Sequence, residues 1–238
     1  TLAIGDAQAG DLDLYLYDKN APGCGDGLSQ LAASASATND EAISNAEDGL
    51  VVLAEEQTRG RGRRGAAWFS EPGESLTFSV ALQPDEPMAL WPRLSLAAGL
   101  AMAEVLERDG LEPRIKWPND LLLEGKKRAG ILVEAGRGHA IIGIGINVGG
   151  QPLPTELAAT SLAAELGREL DRVELLGRIL KALKHRSTDI GRNFPELINK
   201  VRERCSLTGE RVRMTSGSSD LVGVVEGIGE GGELLLQT

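Results

Sequence analysis

The sequence predicts an α+β fold in which a central mixed, largely antiparallel β-sheet is flanked by helices and followed by a small C-terminal β-barrel. Three observations predict it. Short apolar runs between residues 114 and 148 are separated by turn residues, as in an antiparallel meander. Leu94, Ala97, Ala98, Ala101, Val105 and Leu106 recur at three-and-four spacing, which marks a helix with one apolar face. From Leu207 the composition shifts to short strands broken by glycines. This shift divides the chain into a larger domain over 1–203 and a small module over 204–238.

The bulk properties set the limits. A chain of 238 residues, 42% of them hydrophobic, buries one sizeable core plus a small appended module. Its net charge of -10 and pI near 4.8 repel nucleic acid and anionic membranes unless a local patch dominates. No apolar run approaches the roughly 20 residues that span a bilayer, and the N-terminus lacks a secretory pattern, so a cytoplasmic protein is expected. Cys24 and Cys205, without a Cys-x-x-Cys and with only His139 and His185 for company, argue against a disulfide framework or a Cys/His metal site. The chain opens at Thr1 rather than at a methionine and reads as trimmed or partial.

In chain order, Leu12 to Tyr17 alternates weakly and reads as a strand, and the small, glycine-containing stretch over 18–37 reads as a mobile loop. Thr38-Asn39-Asp40-Glu41 offers capping side chains to a short helix ending near Asn45. A strand at 50–57 follows, and after the turn Glu71-Pro72-Gly73-Glu74 comes another over Ser75 to Leu82. The helix over 92–109 stops at Gly110. Strands are then expected from Arg114 to Trp117, Leu121 to Leu123, Gly130 to Val133 and Ile141 to Val148. Helices are expected near 155–166 and from the capping-box spacing at Asp171-Arg172-Val173-Glu174 to Gly191. Arg211 to Met214, Leu221 to Glu226 and Glu233 to Leu236 supply the strands of the module.

Three stretches carry chemistry. In Gln57-Thr58-Arg59-Gly60-Arg61-Gly62-Arg63-Arg64-Gly65-Ala66-Ala67-Trp68, glycines allow close backbone approach and Arg61, Arg63 and Arg64 can clasp carboxylate or phosphate oxygens. A solvated basic loop or an Arg-Gly segment for RNA has the same composition. Lys116-Trp117-Pro118-Asn119-Asp120 forms a strand-to-turn corner. Beyond serving as a turn, it offers Asp120 to a magnesium ion beside phosphates, with Lys127 projecting a point charge nearby. Gly143-Ile144-Gly145-Ile146-Asn147 sets glycines inside a strand, which marks either a bulge or a flat group pressed against the sheet.

Taken together, Gln-x-x-Gly-Arg-Gly-Arg-Arg-Gly-x-x-Trp, Lys-Trp-Pro-Asn-Asp, Lys-x-Ala-Gly-Ile-Leu-Val-Glu and Ile-Gly-Ile-Gly-Ile-Asn-Val resemble the biotin protein ligase family over roughly residues 36–238. The resemblance implies formation of biotinyl-5′-adenylate from biotin and ATP with magnesium, then transfer of biotin to one lysine of a biotin carboxyl carrier domain. By position it implies that Thr38, Asn39, Gln57, Arg61, Gly62, Arg63, Lys127 and Gly130 contact biotin. Arg63, Arg64, Trp68, Asn119, Ile131, Gly143 and Asn147 are implied around the nucleotide, and Asp120 at magnesium. Lys127, Arg61 and Arg63 are then the catalytic cations, because a carboxylate attacking a triphosphate is anion meeting anion. The acceptor lysine is itself the nucleophile of the second step, so no serine, cysteine or histidine of the enzyme is needed. The loop over 57–68 is expected to close over the adenylate and exclude water.

The chain departs from the family pattern at several points. Ala37 stands where a serine is usual, Ala66 stands where many members carry arginine, and 18–35 is longer than the usual link. Leu236-Gln237-Thr238 falls short of the expected final strand, and no winged-helix segment is legible, which argues against operator binding. A lipoate-type ligase shares the fold, but the Gly-Arg-Gly-Arg-Arg-Gly loop favours biotin. A homodimer through a sheet edge is compatible with the sequence and not indicated by it.

Overall fold

The computed structural model describes residues 14–16, 37–63, 68, 73–149, 161–216 and 219–238. The elements in order are β1 (Leu14–Leu16), α1 (Thr38–Ser44), β2 (Val51–Ala54), β3 (Ser75–Leu82), α2 (Arg93–Glu107), β4 (Arg114–Lys116), β5 (Asp120–Leu123), β6 (Lys126–Gly136) and β7 (His139–Asn147). After these come α3 (Leu162–Leu166), α4 (Arg172–Ser187), α5 (Asp189–Arg192), α6 (Phe194–Glu203), β8 (Arg211–Ser216), β9 (Ser219–Ile228) and β10 (Leu234–Gln237). The loop expected over 18–37 lies, apart from Ala37, outside the described residues.

Strands β1 to β7 make one sheet in the order β1-β2-β3-β7-β6-β5-β4. β1 runs parallel to β2 and all other neighbours are antiparallel, so the sheet is mixed as expected. β7 is central and buried from Ala140 to Ile146, because both sheet faces are covered there. One face carries α2, whose small residues Ala97, Ala98, Ala101 and Ala103 let it lie close to the sheet and to α4. The other face carries α1, with Ala42 packed on Leu50, Val52, Ala81 and Ile141. The hairpins β5–β6 and β6–β7 turn through Glu124-Gly125 and Arg137-Gly138, all four residues at positive φ, as two-residue hairpin loops require.

Asp171 caps α4 as its spacing predicts, accepting from the amides of Val173 and Glu174 at 2.8 and 3.2 Å. The expected cap of α1 is not formed. Ala37 is its N-cap, and Thr38 and Asn39 stand inside the helix with their side chains turned to other partners. Helix α6 was not anticipated, although Phe194, Leu197, Ile198 and Val201 are all buried at helical spacing.

The C-terminal barrel is corrected to an open sheet. β8, β9 and β10 pair antiparallel in the order β10-β9-β8, and among the described residues no pairing closes them. Three strands are too few to wrap around an interior of their own. The sheet instead gives Ile228 and Leu234 to the main core. It is tied down by Trp117 Nε1 donating to the Gly232 carbonyl at 2.9 Å, and Arg202 Nε to Ile228 at 2.6 Å. The Ile115 amide donates to Arg204 and its carbonyl accepts from Ser206, so residues 204–206 cover the outer edge of β4.

Candidate active site

The first turn of α1 ends over the middle of the sheet, which buries Thr38 and Asn39. Their polar atoms are matched. The Thr38 amide donates to Gln57 Oε1 at 2.9 Å, and the Ser79 hydroxyl of β3 lies 2.7 Å from Thr38 Oγ1 and 2.5 Å from Asn39 Oδ1. One hydroxyl proton serves one of these acceptors at a time. Asn39 Nδ2 donates to Glu134 Oε2 at 2.7 Å, which holds the carboxamide against β7. Gly143 lies directly beneath, and a Cβ there would collide with Asn39 Oδ1.

Arg61 closes this end. It donates to both oxygens of Asp40, at 2.7 and 2.6 Å, and its Nη2 reaches Glu134 Oε2 at 3.1 Å. The hydrogen bond from Arg61 holds the Asp40 carboxyl below the ordinary carboxylate range, and the same bond is the main cause that raises Arg61 above its own. Arg61 is therefore a neutralised clamp joining the loop after β2 to α1 and β6.

At the other end Lys127, 44% exposed, places Nζ 2.7 Å from Asp120 Oδ1. A Cβ on Gly130 would touch that Nζ at 3.4 Å. Asn119 is clamped to β6: its Nδ2 donates to the Ile131 carbonyl, and its own carbonyl accepts from the Ile131 amide, both at 2.9 Å. The Trp68 amide donates to the Gly60 carbonyl at 2.9 Å, and the indole lies across Gly145, where a Cβ would enter the ring. The flat group against the glycine strand is thus the protein's own tryptophan. Trp68 Nε1 and Thr77 Oγ1 are both buried without a hydrogen-bond partner among the described residues. What remains between these groups is a cavity of about 230 Å³.

Residues 31–150, half of the chain, match the biotin/lipoate A/B protein ligase family. The chain belongs to that family. Within this ligase family it is 36% identical over 228 residues to a biotin--[acetyl-CoA-carboxylase] ligase of Mycobacterium tuberculosis, covering 90% of this chain and 85% of the relative. It is also 36% identical over 219 residues to the bifunctional ligase/repressor BirA of Bacillus subtilis, covering 87% of this chain and 67% of that protein. The biotin protein ligase from Aquifex aeolicus, solved in complex with biotin and ATP, superposes with a TM-score of 0.77 at 32% identity. That match covers 86% of this chain and 89% of the other.

Of the ligase-family residues expected from the sequence, the cavity is lined by Thr38, Asn39, Gln57, Arg61, Gly62, Arg63, Trp68, Asn119, Asp120, Lys127, Gly130, Ile131 and Gly143. Asn147 is not among the lining residues. It ends β7 opposite Ser75. Arg64 lies outside the described residues. The sequence reading missed Ser79, Thr77 and Asp40, and gave Glu134 no role. A signal for the first two was available, since Ser75, Thr77 and Ser79 set three hydroxyls at alternate positions of one strand, which puts them on one face.

Proposed function

We propose that this cavity is where the chain joins biotin to ATP, giving biotinyl-5′-adenylate and pyrophosphate, and then passes the biotinyl group to a lysine of a biotin carboxyl carrier domain. One observation carries the reading: the cavity has two chemical ends. Thr38, Asn39 and Ser79 are buried and, with the half-buried Gln57, form an uncharged hydrogen-bonding set at one end, suited to a neutral ureido ring. Lys127 stands at the other end, over Gly130, and Arg63 lines the same cavity, as a carboxylate meeting phosphates would require.

In the first step a biotin carboxylate oxygen attacks the α-phosphorus, and the bond to the bridging oxygen of pyrophosphate breaks. Lys127 is the point charge placed between the two anions, and Arg63 and Arg64 neutralise phosphate oxygens as charge moves to the leaving group. Arg61, already committed to Asp40 and Glu134, contributes by holding the loop in place. Trp68 leaves Gly145 to cover the adenine, with Asn119, Ile131 and Asn147 around it. In the second step the neutral lysine amine of the acceptor attacks the acyl carbonyl of the mixed anhydride, AMP departs, and the amine loses its proton.

Among the described residues no group of three or more acidic, His or Cys side chains gathers for a metal. Asp120 is a single carboxylate at the cavity, which fits magnesium, an ion that takes most of its ligands from phosphates and water. The ion would supply further charge neutralisation on the phosphates. The reading places the reaction in the cytoplasm, with 204–238 as a separate small module and without nucleic-acid or membrane partners. No described helix is long and apolar enough to cross a membrane. A homodimer remains part of the reading, to be tested by sedimentation.

The experiment is biotin-dependent exchange of labelled pyrophosphate into ATP, comparing the chain with Lys127→Ala. Exchange that the substitution suppresses by roughly 100-fold or more is expected. No exchange by the unmodified chain at saturating biotin and ATP refutes the adenylation step.

A further inference from the structure

The open position of Lys-x-Ala-Gly-Ile-Leu-Val-Glu, which the proposed chemistry does not use, is Arg128. It has no exposed surface. Its Nη2 pairs with Glu165 Oε1 of α3, and its Nη1 turns back to donate to the Lys127 carbonyl at 3.3 Å. Glu165 is itself on an anchored element. Ser161 accepts from the Ala164 amide at 3.3 Å, and the Ala163 amide donates to the Val148 carbonyl at 2.8 Å, beside the end of β7.

Arg128 is also where the β5–β6 ladder slips. Leu121 pairs with Ala129, but the next residue, Leu122, pairs with Lys127, so Arg128 is the extra residue of a β-bulge. The slip decides the direction of Lys127. Gly130 and Leu132 line the cavity, while Ala129 belongs to the core on the opposite face. In an unbroken strand Lys127 would share the phase of Ala129 and point away from the cavity. With the bulge it lies over Gly130 and reaches Asp120.

We infer that Arg128, gripped by Glu165, is a positioning residue that holds the bulge and so aims Lys127 into the cavity. The inference rests on the reading that Lys127 stands between the biotin carboxylate and the α-phosphate. Burying a guanidinium is costly, and an ion pair of this kind can commonly be replaced by apolar side chains without loss of stability. Burial indeed pulls Arg128 below the ordinary arginine range, only partly offset by Glu165. Stability alone therefore gives little reason for an arginine here, whereas a fixed Lys127 does.

The test is a double-mutant cycle in the biotin-dependent exchange assay, using the chain, Lys127→Ala, Arg128→Met and the double variant, each checked for folding by thermal melting. Arg128→Met alone is expected to lower the rate on the order of 10- to 100-fold, the scale of a misplaced catalytic group. In the Lys127→Ala background the same change is expected to cost less than about twofold, because the group it aims is gone. Equal losses in both backgrounds, or full rate in Arg128→Met while Lys127→Ala is slow, overturn the inference and leave the reading of Lys127 standing. Full rate in Lys127→Ala overturns both. Should Arg128→Met fail to fold, Glu165→Gln, which keeps the shape of its side chain, goes through the same cycle with the same expected outcomes.

Discussion

Lys127 Nζ lies 2.7 Å from Asp120 Oδ1, across the hairpin that joins β5 to β6. The ammonium is half-exposed, so the pair adds less than about 1 kcal/mol to stability. Its contribution is to direction. Asp120→Asn is therefore expected to leave the melting temperature nearly unchanged, slow biotin-dependent exchange by about tenfold, and move the magnesium dependence to higher concentration. A magnesium titration identical to that of the unmodified chain would remove Asp120 from the metal's ligands.

Gly143 leaves room for the carboxamide of Asn39 and for nothing more. In Gly143→Ala the added methyl pushes Asn39 off the sheet and breaks its contacts with Ser79 and Glu134. Biotin affinity, measured by titration calorimetry, is expected to fall by tenfold or more, about 1.4 kcal/mol. Binding as tight as that of the unmodified chain would show that Asn39 does not hold the ligand.

Ser79 is fully buried, and its hydroxyl, shared with Thr38 Oγ1, is the donor beside Asn39 Oδ1. Ser79→Ala strands that oxygen, which costs about 1–3 kcal/mol. The expected result is a lower urea midpoint in the absence of ligand together with weaker biotin binding. Loss of stability with unaltered binding would confine Ser79 to the fold.

Asp40 has an ordinary value of 3.8, and its bond to Arg61 lowers it in the folded chain. The unfolded chain thus takes up the proton first as pH falls. The contribution of this pair is complete above about pH 4 and is lost as pH drops through the lower folded value. The gap in urea midpoint between the chain and Asp40→Asn is expected to be constant near neutrality and to shrink below about pH 4. A gap that does not narrow in acid refutes the linkage.

Much of the fold was legible because its signals are local. The strand over Ser75 to Leu82 was read at its observed limits, the predicted 92–109 helix forms as Arg93–Glu107, and Asp171 caps the helix its spacing announced. Arg61, Gly62 and Arg63 of the basic loop and Asn119 and Asp120 of the Lys-Trp-Pro-Asn-Asp corner line one cavity, as their residue types suggested. What the sequence could not disclose was pairing at long range. By local pattern Thr38 and Asn39 look like caps, and although the family resemblance implies them as biotin contacts, the partners that hold them, Ser79 and Glu134, lie about 40 and 95 positions away. The bulge at Arg128 is a matter of register between two strands, and no single strand displays it. The module near the C-terminus shows the turns of a barrel, but whether three strands close depends on the surface they find beside them.

The glycines at 143 and 145 leave their side-chain space to Asn39 and Trp68. Neither glycine can be trimmed further, so every substitution at Gly143 or Gly145 displaces one of those two side chains. Redesign toward a bulkier acid must therefore begin at the walls, where Leu132, on the same strand face as Gly130, still has carbon to give up.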